Sequence, residues 1–112
     1  MGTPYLTPDE APTREEIDRL PGAVLVEFGT DWCGYCRALA PQIERLLADH
    51  REVRHLKVED GPGQPLGRSF GIRLWPNLVF LKDGAVVRQL ARPSLNDLSE
   101  AFDAIAAGQP KA

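Results

Sequence analysis

A chain of 112 residues has the length of one domain, and its 43% apolar and 26% charged residues are typical of an ordinary soluble globular protein. The formal net charge of −3 argues against a nucleic-acid-binding surface, which would need a basic face. No stretch approaches the ~20 apolar residues of a membrane-spanning helix, and the N-terminus lacks a signal-peptide pattern. We therefore expect a cytoplasmic protein with neither a nucleic-acid nor a membrane partner.

The predicted elements alternate between helices and strands. After an extended arm over residues 1–12, a capping box formed by Thr13 and Glu16 predicts a short helix from about residue 14 to residue 20. The apolar run over 23–28 predicts a central strand that is buried on both faces. The later elements are a long helix from 33 or 34 to 49 with Pro41 inside it, a strand over 53–58, a helical turn over 66–70, two strands over 77–81 and 85–90 joined by a hairpin, a last helix from 94 to about 107, and a loose tail over 108–112.

The order of these elements predicts the fold class. A parallel β–α–β unit followed by a β–β–α unit gives an α/β fold with a central mixed sheet of four to five strands. Helices are then expected on both faces of that sheet. We interpret residues 1–112 as a single domain, because no repeat, linker or low-complexity segment interrupts the pattern.

The chain has two cysteines, Cys33 and Cys36, at the start of the predicted long helix. Residues three apart share a helix face, which brings the two sulfurs within reach of a disulfide bond. Unpaired amides at the helix start favour the thiolate of Cys33, the form that attacks disulfides. Cys36 lies one turn deeper and is expected to stay protonated until it resolves a mixed disulfide at Cys33.

Two other interpretations of the cysteine pair are weaker. A structural zinc site needs four ligands, and His50 and His55 would have to supply the other two. Both histidines are predicted to lie remote from the helix start, so we expect no metal there. Two core cysteines without chemistry would explain neither the strand–turn–helix placement nor the neighbouring Trp32.

Five segments carry a resemblance to a known family. They are Val26-Glu27-Phe28, Trp32 to Cys36, Pro41, Gly71 to Pro76, and Phe80 to Gly84. In their order and spacing they resemble the thioredoxin family, from about residue 14 to residue 107. The resemblance implies a thioredoxin fold and a redox-active dithiol.

The resemblance also implies roles for single residues. It makes Cys33 the nucleophile and Cys36 the resolving thiol. It makes Pro76 a cis-proline that faces the dithiol across a groove, where the backbone of Trp75 pairs with an extended substrate. A proline that merely starts a strand is the alternative for Pro76.

Glu27 is a carboxylate in an otherwise apolar predicted strand, and its burial needs a reason. The resemblance makes it the proton acceptor for Cys36, directly or through water. Protein disulfide isomerase domains carry Glu at the matching position. Lys57 resembles the family lysine that approaches this carboxylate, and an ordinary solvated lysine is the equal alternative.

The predicted substrate-binding rim departs from the family pattern. Thioredoxin proper has Gly-Pro between its cysteines, whereas this chain has Gly34 and Tyr35, which frees one backbone N–H at the helix start. That donor would stabilise the Cys33 thiolate, and our hypothesis is a reduction potential above that of thioredoxin. Trp75 is unusually large for its position, and its ring would cover Cys33 or narrow the groove. The complete predicted rim is Trp32, Gly34, Tyr35, Trp75, Pro76 and Ala91, the last followed by Arg92, which changes the charge of the groove.

The sequence therefore predicts a monomeric protein-disulfide oxidoreductase that works through a Cys33 mixed disulfide and needs no cofactor. Its expected partners are disulfide-containing proteins and an electron donor that is either thioredoxin-reductase-like or glutathione-linked. Two alternatives stay open. One is a binding module of a larger complex whose redox activity is incidental, and the other is a glutaredoxin-like enzyme, since Tyr35 matches half of that family's dithiol motif.

Overall fold

A computed structural model describes residues 3–106, and it contains all eight predicted elements with ends shifted by a few residues. The predicted tail over 108–112 lies outside the described residues. The elements are α1 (Arg14–Asp18), β1 (Ala23–Gly29), α2 (Gly34–Asp49), β2 (Arg54–Glu59), α3 (Pro65–Ser69), β3 (Asn77–Lys82), β4 (Ala85–Ala91) and α4 (Leu95–Ala106).

Four strands form one mixed sheet in the order β2–β1–β3–β4. β1 pairs with β2 in parallel and with β3 antiparallel, and β3 and β4 form an antiparallel hairpin. Both residues of the hairpin turn are left-handed, with φ of 51° at Asp83 and 83° at Gly84. Gly84 is required there, because a Cβ would collide with the carbonyl oxygen of Asp18.

The helices cover both faces of the sheet, as predicted. Alternate residues of β1 point to opposite faces, and all seven residues of the strand are buried. On one face, β1 packs with residues of α1 and α3 and with Phe70 in a single apolar cluster. On the other face, β1 packs with Ile43 of α2 and with Leu98, Phe102 and Ile105 of α4.

The N-terminal arm differs from the extended segment that the sequence predicts. Leu6 does lie parallel to β2, where its N–H donates to the Lys57 carbonyl at 2.7 Å and its carbonyl accepts from Glu59 at 2.9 Å. The chain then turns, because the Thr7 carbonyl accepts the N–H groups of both Glu10 and Ala11. The edge of β2 therefore carries an isolated bridge rather than a full fifth strand.

Candidate active site

The start of α2 places the two cysteines in different surroundings. Cys33 is the N-cap residue of this 16-residue helix, with extended backbone angles of φ −80° and ψ 117°. Its Sγ accepts the Cys36 N–H at 3.2 Å, so a sulfur satisfies an amide that a helix start would otherwise leave unpaired. Both thiols are free, and Cys33 is 8% exposed whereas Cys36 is 1% exposed.

The amide that reaches Cys33 is not the one that the sequence analysis singled out. Among the hydrogen bonds of residues 3–106, Sγ of Cys33 receives the N–H of Cys36 and not that of Tyr35. A proline at position 35 would leave this contact in place. The hypothesis of a raised reduction potential therefore lacks the contact on which it was based, and the potential itself stays a prediction.

Burial raises the pKa of the Cys36 thiol to about 11, and the neighbouring Cys33 sulfur adds to the increase. The Thr30 backbone and the Tyr5 hydroxyl lower the pKa of Cys36, but they do not offset burial. Cys36 is therefore protonated at neutral pH in the dithiol form. A protonated Cys36 is consistent with its predicted role as the resolving thiol.

Tyr5, to which the sequence analysis gave no role, comes from the N-terminal arm to the dithiol. A Cβ on Gly29 would lie 2.6 Å from the Cys36 Sγ and 2.7 Å from the Tyr5 hydroxyl oxygen, so both groups occupy the space above this glycine. Burial raises the pKa of Tyr5, and the nearby Cys36 and Glu27 raise it further. The hydroxyl is therefore neutral beside the Cys36 sulfur.

Glu27 lies on the same face of β1 as Gly29 and is 1% exposed. Its Oε1 is 2.8 Å from Nε2 of His55 on β2, and its Oε2 is buried without a hydrogen-bond partner among the described residues. The sequence predicts only that His55 lies remote from the helix start, and its contact with Glu27 is new to the structure. His55 is two residues from the register partner of Glu27, which puts both side chains on one face of the parallel strands.

Lys57 lies beside Glu27 on the neighbouring strand without forming an ion pair with it. It is the register partner of Glu27, yet among the described residues the ion-pair partner of Glu27 is His55. Nζ of Lys57 lies 4.5 Å from the centroid of the Tyr5 ring, and the residue is 8% exposed. The lysine is therefore neither solvated nor paired with the carboxylate, since the aromatic ring of the arm holds its ammonium group.

Two tryptophans stand on one side of the dithiol. Trp32 is 74% exposed, and its ring meets Trp75 edge to face at a centroid distance of 5.6 Å. Nε1 of Trp75 donates to the Asp60 carboxylate at 2.9 Å, and the side chain packs against the apolar cluster of α1 and α3. These contacts hold the Trp75 ring toward Trp32 and Asp60.

The other predicted rim residues have the following positions. The peptide bond between Trp75 and Pro76 is cis, and Pro76 is buried at the start of β3. Gly34 and Tyr35 are exposed at the first turn of α2. Ala91 is exposed at the end of β4, and the guanidinium carbon of the next residue, Arg92, lies 3.9 Å from the centroid of the Tyr35 ring.

Residues 3–106 contain no cluster of three or more His, Cys, Asp or Glu side chains that could hold a metal ion. Within the same residues, every helix is too short or too polar to cross a membrane.

Comparison with known proteins identifies the family. The family model described as Thioredoxin matches residues 7–104. The structure of reduced thioredoxin 2 from Pseudomonas aeruginosa PAO1 is similar, with a TM-score of 0.82, 53% identity, and coverage of 97% of this chain and 100% of that chain.

Protein disulfide-isomerase A2 of Pongo abelii is 37% identical over 70% of this chain and 19% of its own length. A chloroplastic F-type thioredoxin of Brassica napus is 33% identical over 71% of this chain and 44% of its own length. The chain thus spans less than half the length of these curated relatives. With its four-stranded mixed sheet and its Cys33–Cys36 pair, the chain belongs to the thioredoxin family.

Proposed function

We propose that this protein is a thiol–disulfide oxidoreductase of protein substrates, in which Cys33 attacks and Cys36 resolves. The observation that carries the proposal is the asymmetry at the start of α2. Cys33 caps the helix, and its sulfur accepts a hydrogen bond from the Cys36 N–H. Cys36 is more deeply buried, and its pKa is raised to about 11. This asymmetry supports Cys33 as the attacking thiol and Cys36 as the resolving thiol.

The reaction that this geometry supports has two steps. The Cys33 thiolate attacks one sulfur of a substrate disulfide, whose S–S bond breaks, and the other substrate sulfur leaves and takes up a proton. Cys36 then loses its proton and attacks Sγ of Cys33, which releases the second substrate sulfur as a thiol. Two electrons pass to the substrate, and the protein ends with a Cys33–Cys36 disulfide.

Glu27 is the proposed acceptor of the Cys36 proton. A thiol with a pKa near 11 needs a base in order to attack at neutral pH. Glu27 shares a strand face with Gly29, which borders the Cys36 sulfur, and one of its carboxylate oxygens has no partner among the described residues. His55 holds the other oxygen and therefore acts as a positioning residue for this base.

The substrate is proposed to bind along the rim formed by Trp32, Gly34, Tyr35, Trp75, Pro76 and Ala91. Trp32 and Tyr35 are large side chains that are 74% and 61% exposed, beside a dithiol that is itself nearly buried. Exposed aromatic side chains of this kind suit contact with a partner protein.

Disulfide reduction in insulin, with dithiothreitol as electron donor, tests the proposal. The wild type should accelerate insulin precipitation, and Cys33→Ser should abolish the acceleration. Cys36→Ser should accumulate a mixed disulfide with insulin that mass spectrometry detects, because nothing resolves it. Equal rates in the wild type and in Cys33→Ser would refute the enzyme and favour the alternative of a binding module.

The electron donor and the cellular setting are also part of the proposal. Curated relatives include protein disulfide-isomerase A2 and chloroplastic thioredoxins, and we favour a reductase of the thioredoxin type as donor over glutathione. Comparing reduction of the Cys33–Cys36 disulfide by an NADPH-linked thioredoxin reductase with reduction by glutathione decides between them. A monomer in the cytoplasm remains our expectation, which size-exclusion chromatography and cell fractionation can test.

A further inference from the structure

Arg92 occupies an unusual place at the edge of the groove beside the dithiol. Its φ of 49° lies in the left-handed region, which residues with a side chain seldom adopt. Its backbone N–H donates to the Pro76 carbonyl at 3.0 Å, and its side-chain Nε donates to the Trp75 carbonyl at 2.7 Å. Two consecutive carbonyl groups of the cis-proline segment are thus occupied by one residue.

The same side chain reaches across to the dithiol loop. Its guanidinium carbon lies 3.9 Å from the centroid of the Tyr35 ring, and Tyr35 stands between the two cysteines in sequence. A guanidinium group stacked on an aromatic ring is held in a defined orientation. Arg92 therefore spans the groove from the proline side to the cysteine side.

The groove next to Arg92 is mainly apolar. It has a volume of about 260 Å³, and its walls include Tyr35, Leu39, Pro76, Pro93 and Leu95. Leu95 is 56% exposed, so an apolar side chain of a partner could cover it. An apolar slot bordered by one fixed cation suits a segment that offers an apolar side chain next to an anionic one.

Only one N–H group of the Arg92 side chain is hydrogen-bonded among the described residues. A guanidinium group has five N–H donors, and Nε uses one of them on the Trp75 carbonyl. Among the described residues, neither terminal nitrogen of Arg92 has a hydrogen-bond or ion-pair partner, and the residue is exposed. The terminal pair forms the fork that a carboxylate matches with two parallel hydrogen bonds.

We propose that Arg92 is a specificity-determining residue that selects substrate segments with an Asp or Glu side chain close to the disulfide. This inference rests on the proposed function, because it concerns the same groove. The apolar slot takes a neighbouring side chain, and the guanidinium fork takes the carboxylate. Nε already donates to the Trp75 carbonyl, so a substrate N–H that pairs with this carbonyl shares it with Arg92.

Three peptide disulfides that differ at one position test the proposal. Each carries Leu beside one cysteine, followed by Glu, Gln or Lys, and kcat/KM is measured with dithiothreitol as electron donor. The wild type should prefer the Glu peptide over the Lys peptide. In Arg92→Gln this preference should fall roughly tenfold, the effect of losing a charge-assisted hydrogen-bonded pair.

Two further variants complete the experiment. Arg92→Lys keeps the charge but loses the fork and the stacked plane, so the preference should fall by an intermediate factor. Arg88→Gln also removes one positive charge, but from a side chain that pairs with Glu100, and it should leave the preference unchanged. Thermal unfolding of each variant verifies that it folds, and Arg92→Lys alone still tests the fork if Arg92→Gln does not fold.

The outcomes separate the two proposals. Equal rates for the three peptides in the wild type, or an unchanged preference in both Arg92 variants, would overturn the role of Arg92. An equal fall in Arg88→Gln would show a general effect of net charge and would overturn it as well. If the wild type reduced neither insulin nor any of the peptides, the oxidoreductase itself would fail, and the role of Arg92 with it.

Discussion

The two faces of β1 bury very different side chains. Val24, Val26 and Phe28 point to the side of α1 and α3, where they join an apolar cluster. On the opposite face, Leu25 belongs to the apolar cluster of α2 and α4, but Glu27 and Gly29 follow it toward the dithiol. One face of β1 therefore packs into the core, whereas the end of the other face lies at the candidate active site.

The difference shows where this protein accepts unfavourable burial. A buried carboxylate is costly unless it is paired, and native structures leave few buried polar atoms without a partner. Among the described residues, the two buried side-chain oxygens without a partner belong to Glu27 and Thr30, both at the dithiol end of β1 or just after it. The buried polar atoms near the cysteines therefore lower the stability of the fold, whereas the apolar face raises it.

The largest expected effect comes from the apolar face. Phe28→Ala should lower the free energy of unfolding by about 3–5 kcal/mol, because it leaves a cavity beside Phe70 in a fully buried cluster. Urea denaturation measures this loss. Val86→Ala, at a position that is 44% exposed on β4, serves as the control and should change stability by less than about 0.5 kcal/mol. A similar loss in both variants would contradict the proposed contrast between the core and the surface.

The next effect comes from the face of the site, where Gly29 has no room for a side chain. Gly29→Ala should destabilise the protein by about 1–3 kcal/mol, because the new methyl group pushes against the Cys36 sulfur and the Tyr5 hydroxyl. Thermal unfolding monitored by circular dichroism measures it. Gly61→Ala is the matched control, since its nearest neighbouring atom would be 4.0 Å away. If Gly29→Ala were as stable as this control, the crowding beneath Cys36 would be disproved.

The elements of the fold were predictable from sequence because their signals are local. The capping box of Thr13 and Glu16 forms as expected, with Glu16 Oε1 2.8 Å from the Thr13 N–H. The hairpin at Asp83 and Gly84 and the helix start at Cys33 also follow from neighbouring residues. Each of these features depends on residues no more than a few positions apart.

The partners within the site were not predictable in the same way. His55 and Lys57 lie on the same face of β2, and alternation alone does not say which side chain reaches a carboxylate 28 residues from His55 in sequence. Tyr5 reaches the site because the arm lies along β2, where Leu6 pairs with Val58. The contact of Arg92 with Trp75 likewise depends on how the end of β4 meets the loop before β3.

A smaller effect should separate chemistry from stability at Glu27. Glu27→Gln keeps a group that can hydrogen-bond His55 but cannot accept the Cys36 proton, so the resolving step should slow by roughly tenfold at pH 7. Stopped-flow release of substrate from the Cys33 mixed disulfide measures this step. Stability should change by less than about 1 kcal/mol, because the amide oxygen of Gln can keep the hydrogen bond to His55. Glu100→Gln removes an exposed carboxylate on α4 and should leave the rate unchanged, and an equal slowing there would contradict the role of Glu27.

The smallest effect concerns a second histidine–carboxylate pair on the α2 and α4 side of the sheet. Nδ1 of His50 lies 2.9 Å from the Leu46 carbonyl, and Nε2 lies 3.2 Å from the carboxylate of Asp103. Burial lowers the pKa of His50, but these two partners outweigh burial, so the pKa lies above its usual value. Unlike Glu27, Asp103 is exposed, and this pair should therefore affect stability alone.

The sign of the pH dependence follows from that raised pKa. The folded protein binds the His50 proton more tightly than the unfolded chain, so the stabilisation is complete below the unfolded pKa of about 6.5. It is then lost as the pH rises through the higher folded value.

His50→Gln should thus destabilise more at pH 5.5 than at pH 9, by a difference below about 1 kcal/mol because Asp103 faces water. Asp103→Asn should show the same trend, and 0.5 M salt should weaken it. A loss in His50→Gln that is equal at both pH values would mean that ring packing on Phe102, rather than charge, accounts for the effect of His50.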